Sequence, residues 1–250
     1  MNMYDQQNPY QSSYEGYGAI PAALAEESAR TTFIRRTYLH LAGAVALFVA
    51  LEAVYFTMIP DETLAGIMGT LFASRFGWIA VMVGFMGVSW IANSWAQSSA
   101  SQGMQYAGLL LYVVAESVIF IPLLYIAQRI DPSMNIIANA GVLTMIVFGG
   151  LTGMVFLTRA DFSWMGKFLF WAGIVATGAV VCMVMFGANG MGLIFTVAMI
   201  GLASGYILYE TSNILHRYNT EQYVAAALGL FASVALLFWY ILQLFMRNRD

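Results

Sequence analysis

Seven stretches of this chain are apolar over about the 20 residues that a helix needs to cross a bilayer core of roughly 30 Å, and this pattern constrains the fold most. They run from Tyr38 to Ile59, Gly77 to Trp95, Met104 to Ala127, Ile136 to Leu157, Met165 to Phe186, Met191 to Leu215 and Tyr223 to Met246. Turn and charge residues punctuate them, as in Pro60-Asp61-Glu62, Arg129-Ile-Asp-Pro132, Thr158-Arg-Ala-Asp161, Gly187-Ala-Asn-Gly190 and His216-Arg-Tyr-Asn219. Loops this short leave no room for a second soluble domain. The expected fold is therefore an all-α integral membrane protein of seven transmembrane helices, one domain over residues 30–250. Composition agrees, with 60% hydrophobic and only 9% charged residues.

Residues 1–29 are polar and carry neither the basic start nor the apolar core of a signal peptide, so a disordered N-terminal tail is expected there. Lys and Arg near helix ends set orientation. With seven spans, Arg30, Arg35, Arg36, Arg159, Lys167 and Arg217 share the N-terminal side, against Arg75, Arg129, Arg247 and Arg249. That favours a cytoplasmic N-terminus mildly. A re-entrant last segment would sharpen the charge asymmetry, whereas its length favours a full span, which is the expectation adopted.

The inventory excludes several functions. Ten basic residues scattered at helix ends make no stripe for a phosphate backbone, so no nucleic-acid partner is expected. Two histidines and one cysteine are too few for the usual haem or zinc sites, and Cys182 is expected as a small core residue. His40 and His216 lie at helix ends, there is no HExxH motif, and no Asp lies within a span, so no catalytic residues and no resident cofactor are expected. Gly149-x-x-x-Gly153 and Gly201-x-x-x-Gly205 are expected at close helix contacts, and Pro122 is expected to bend its helix.

Three carboxyls interrupt apolar runs: Glu52, Glu116 and Glu210. At about 1.5 Å per residue, Glu116 lies about 16 to 20 Å from either end of its run, Glu52 about 13 Å from Asp61 and Glu210 about 9 Å from His216. No Lys or Arg lies at comparable depth. Each carboxyl either donates a hydrogen bond as a neutral group within the bundle or serves a proton or cation path, in which oxygen ligands suit hard cations such as calcium. Thr211, Ser212 and Asn213 add polar groups beside Glu210, and Gly229 is expected level with it on the next helix.

Leu208-Tyr-Glu-Thr-Ser212, followed by Gln222-Tyr-Val-Ala-Ala-Ala-Leu-Gly-Leu-Phe231, resembles the signature region of the Bax inhibitor-1/YccA family. Thr158-Arg-Ala-Asp-Phe-Ser-Trp-Met-Gly-Lys-Phe-Leu169 resembles that family's stretch between its fourth and fifth helices. Tyr209, Thr211, Ser212, Asp161, Phe162 and Gly166 carry the two motifs. The resemblance implies a last helix surrounded by the other six in two three-helix groups. It also implies a pH-sensitive acid pair in the calcium-leak members, whose first position falls on Glu210 and whose second falls on Ser233, which cannot ionise. Serine there looks more like the bacterial YccA branch, which the resemblance links to membrane-protein quality control through an FtsH-type AAA protease, with the cytoplasmic N-terminal tail as handle. The leading expectation is thus a non-enzymatic, multi-pass protein of the bacterial inner membrane that modulates such a protease through residues 1–29. The alternative is a pH-sensitive calcium, cation or proton leak pathway that uses Glu210, with transient Ca2+ or H+ as its only ligand.

Overall fold

The computed structural model describes residues 21–98, 101–133, 135–186 and 192–247. Eight helices lie among them: α1 (Glu27–Met58), α2 (Asp61–Ala73), α3 (Arg75–Ala96), α4 (Gln102–Ile130), α5 (Asn135–Thr158), α6 (Met165–Phe186), α7 (Leu193–His216) and α8 (Tyr223–Arg247). Seven of them, all but α2, are long and apolar enough to cross a membrane. Residues 1–20, Met191 and Arg249, on which parts of the sequence expectations fall, lie outside the described residues.

Local chemistry sets the boundaries. Ile59 precedes a proline, which disfavours the helical region, and its backbone is extended at φ −89°, ψ 121°. That ends α1 and lets α2 begin at Asp61 and Glu62, two acids in a first turn where the helix dipole favours them. The sequence pattern missed α2, because 13 residues are too few to span a bilayer and they follow the turn signals of Pro60-Asp61-Glu62. Ser74 then caps α3 by accepting from Phe76 N–H at 3.2 Å. Asp131 plays a similar part for α5, accepting from Ile136 N–H at 3.0 Å. An ion pair of 2.6 Å between Arg129 and Asp61 links α2 to the end of α4, but both partners are exposed and solvent screening leaves such a pair little weight.

Helix α8 is an unbroken 25-residue helix and the core of the bundle, buried along most of its length. It packs on α1, α3, α4, α5 and α7. The remaining helices form two groups about it, α4 with α1 and α3, and α7 with α5 and α6. One detail differs from the expected ring of six: α6 packs on α7 and α3 and not principally on α8.

Close packing, more than apolar transfer, holds such helices together in lipid. Gly108 shows where backbones meet, since a Cβ there would stand 2.5 Å from Ala92 O and 2.6 Å from Ala96 N. The expected contact at Gly149 and Gly153 is not found, because both face open space, as does Gly201; Gly205 alone of these meets a neighbour, the Leu169 side chain at 3.0 Å. Cys182 is also displaced from its expected place and is exposed on α6. Residues 21–29, expected as part of the tail, are structured. Ala22 is fully buried and its N–H donates to Tyr218 O at 2.9 Å, Pro21 bridges Asn219, and α1 starts at Glu27.

Candidate functional site

Helix α7 presents Glu210 to α8 where α8 has no side chain. A Cβ at Gly229 would stand 3.0 Å from the Glu210 carboxyl carbon and from Oε2. The expected level register of Glu210 with Gly229 therefore holds. The Tyr218 hydroxyl, from the turn after α7, donates to Glu210 Oε2 at 3.0 Å. Burial, and then the neighbouring Glu210 carboxylate, push the Tyr218 phenol well above its usual pKa, so it remains a neutral donor.

Beyond this contact Glu210 faces a partly open cavity of about 540 Å³ lined by α3, α4, α6, α7 and α8. Glu116 of α4 and Ser233 of α8 line the same cavity, with Asn93, Thr177 and Tyr206 adding polar groups. The Ser233 hydroxyl donates to Gly229 O at 2.8 Å within its own helix. The second acid of the cavity is therefore Glu116. It is buried with one carboxyl oxygen unpartnered, and it lies about 21 Å from either end of α4 at the helical rise. The sequence presented three separate carboxyls and gave no signal that α4 and α7 bring two of them to one space. Among the described residues no group of three or more His, Cys, Asp or Glu is close enough to hold a metal ion. The cavity's donors are two carboxyls and neutral oxygens, a set that suits proton exchange or loose coordination of a hard cation.

The remaining motif residues build a junction at the same end of the bundle. Tyr209 lies against Gly166, where a Cβ would come within 2.8 Å of its ring. Ser212 Oγ accepts from Phe162 N–H at 2.8 Å and lies 3.4 Å from Asp161 Oδ1. Arg217 donates to Ser163 Oγ at 2.8 Å, and Tyr206 donates to Leu169 O at 2.8 Å. Thr211 is fully buried in the core. Thus the two sequence motifs meet and clamp the loop between α5 and α6 onto α7, which fixes the helix that carries Glu210.

Asp161 in that loop is held below the ordinary aspartate range by the Ser163 side chain and then by the Ser163 N–H at 2.8 Å. A depressed carboxyl contributes stability that is present above its unfolded pKa and is lost as pH falls through its folded value. Asp161→Asn should therefore lower the melting temperature at neutral pH, and the difference from the parent protein should close in acid. A difference that persisted unchanged in acid would contradict this assignment.

Glu52 is not part of this site. It lies on the other side of α8, at a separate cavity of about 330 Å³.

These features define a multi-pass helical membrane protein built around a buried central helix with an acid-lined cavity beside it. Residues 30–250 match the family model described as "Inhibitor of apoptosis-promoting Bax1", and the chain belongs to that Bax inhibitor family. An uncharacterized protein of Campylobacter jejuni is 26% identical over 249 residues, covering 98% of this chain and 97% of that one. Bax inhibitor 1 of Schizosaccharomyces pombe is 34% identical over 127 residues, 47% of this chain and 46% of that protein. Protein LIFEGUARD 4 of Arabidopsis thaliana is 30% identical over 117 residues, 45% of this chain and 47% of that protein. The chain thus spans about half the length of these two eukaryotic relatives.

Proposed function

We propose that this protein provides a pH-sensitive proton or cation leak pathway across its membrane, with Glu210 and Glu116 as the pathway's acids. The observation that supports this reading best is that both carboxyls line one cavity against the central helix, in a wall that is otherwise largely apolar. A carboxyl at such depth needs a proton, a cation or water to be tolerated, and any of these makes it an exchange site. Tyr218 holds Glu210 from the N-terminal side, and protonation of Glu210 removes the charge that strengthens this bond. In liposomes, Glu210→Gln should reduce pH-dependent calcium or proton flux by about ten-fold, in line with the role of intramembrane acids in ion paths. Equal flux from the two proteins would exclude Glu210 from the pathway.

A second reading, modulation of membrane-protein quality control through an FtsH-type AAA protease, is favoured by a different observation. Pro21 and Ala22 are pinned to Asn219 and Tyr218, beside the turn between α7 and α8. With the N-terminus cytoplasmic in a bacterial inner membrane, as the basic residues favour, that turn lies on the side where a cytoplasmic ATPase would engage an N-terminal handle. Deletion of residues 1–20, which spares the pinned segment, should abolish degradation by such a protease while leaving flux unchanged. Normal degradation of the truncated protein would rule the tail out as handle.

A further inference from the structure

The residues just before α1 are built into the fold beside Glu210. Pro21 forms an antiparallel bridge with Asn219, and the Ala22 N–H donates to Tyr218 O at 2.9 Å. Ala22 is fully buried and belongs to the same continuous core as Tyr223 and Val224 at the start of α8. The segment is internally braced, because Leu24 N–H and Ala25 N–H both donate to Pro21 O, at 2.9 and 3.1 Å, and α1 begins at Glu27. The turn it meets is braced as well: Tyr218 N–H donates to Asn213 O at 2.9 Å, and Asn219 N–H to Gln222 Oε1 at 3.0 Å. This joint holds the residue that reaches Glu210, since the Tyr218 hydroxyl donates to Glu210 Oε2 at 3.0 Å. Helix α1 packs mainly on α8 and α4, so the segment adds a separate link from the start of α1 to the turn beyond α7.

We propose that residues 21–25 are an inhibitory latch, which holds Tyr218 against Glu210 from the N-terminal side and so limits exchange of protons or cations between Glu210 and that side of the membrane. The latch rests on the leak reading of the Glu116 and Glu210 cavity and supplies its regulation. A hydrogen bond to a carboxylate is among the strong ones, and while Tyr218 occupies Oε2 a proton carrier or cation arriving from the turn finds that oxygen taken. Tyr218 sits on a turn, and turns open more readily than packed helices unless something braces them. Residues 21–25 supply the brace through one backbone bond and one buried alanine, so they are positioning residues that act on Glu210 through Tyr218. Such coupling is reciprocal: whatever the latch adds to the contact between Tyr218 and Glu210, that contact returns to the latch.

Two readouts test this, hydrogen exchange at the Ala22 amide of the full-length protein in phosphatidylcholine nanodiscs and calcium and proton flux in liposomes. Tyr218→Phe keeps the ring and loses the hydroxyl. It should speed exchange at Ala22 about ten-fold, a factor that corresponds to about 1.4 kcal/mol, and raise flux by a similar factor. Ala22→Asp, which puts a charge into a filled core position and expels the segment, should raise flux to the same level, as should deletion of residues 1–25. Adding Tyr218→Phe to either should raise it no further. Deletion of residues 1–20, which leaves the latch in place, should change neither readout. Tyr218→Phe removes a single oxygen atom and carries the test by itself if the more drastic variants do not melt cooperatively. Unchanged exchange at Ala22 in Tyr218→Phe would overturn the latch. So would parent-level flux in Tyr218→Phe where Glu210→Gln reduces flux. Flux indifferent to Glu210→Gln, with exchange at Ala22 still faster in Tyr218→Phe, would overturn the leak reading and the inhibitory role with it, and leave the joint as a structural brace.

Discussion

Gly108→Leu should leave α3 and α4 unable to close and destabilise the protein by roughly 3 kcal/mol or more, since overpacking in a well-packed core costs about 1–3 kcal/mol and a backbone obstacle cannot rotate away. The obstacle is Ala92 O and Ala96 N, only 2.5 and 2.6 Å from a Cβ at position 108. Ala92 and Ala96 are themselves almost fully buried, so small residues on both helices are matched at the crossing. Thermal unfolding in a mild detergent should show a large fall in the melting temperature. Gly149→Leu is the natural comparison, because position 149 opens on empty space and the change should stay within about 0.5 kcal/mol, as for a surface site. Equal behaviour of the two variants would contradict the packing described for α3 and α4.

Glu116→Gln should reduce liposome flux by about ten-fold, the same loss expected at Glu210, because an intramembrane acid on an ion path is not replaced by an amide that cannot release a proton. A pathway served by Glu210 alone would leave this variant at full flux. The two carboxyls come from helices that are far apart in sequence, and only the cavity links them. If Glu116 were a purely structural hydrogen-bonding group, its amide isostere would fold, retain Glu210 and conduct normally.

The seven spans were legible because their cause is local, runs of about 20 apolar residues, whereas the central last helix was expected only from the family resemblance that the Gln222–Phe231 motif carries. The short α2 escaped because its signals, Pro60 followed by two acids and a capping Ser74, also describe a loop between helices. Small-residue spacing misled for a similar reason. Gly149-x-x-x-Gly153 and the Ala92-x-x-x-Ala96 that actually meets Gly108 have the same period, and only the rotation of each helix tells a lipid face from a contact face. Cys182 illustrates the same limit, since an apolar run in a membrane helix carries no inside and outside in its composition.

At the site, depth along a helix was readable and direction was not. The register of Glu210 with Gly229 follows from the short turn between α7 and α8, and it holds. The role of Tyr218 did not emerge, because the chain must reverse before its hydroxyl can reach back eight residues to Glu210. Nor did the meeting of the two family motifs, in which Asp161, Phe162 and Gly166 find Ser212 and Tyr209 across about 50 residues of chain. Ser233 cannot ionise and its hydroxyl is committed to its own helix, so the second acid beside this cavity comes from α4.

A double-mutant comparison of flux tests most directly whether Glu116 and Glu210 act on one path. Calcium and proton flux would be measured in liposomes holding equal amounts of the parent protein, Glu116→Gln, Glu210→Gln and the double variant. Two acids on one path should give a double variant no slower than the slower single one. Losses that multiply, or single variants that conduct like the parent protein, would contradict a shared path.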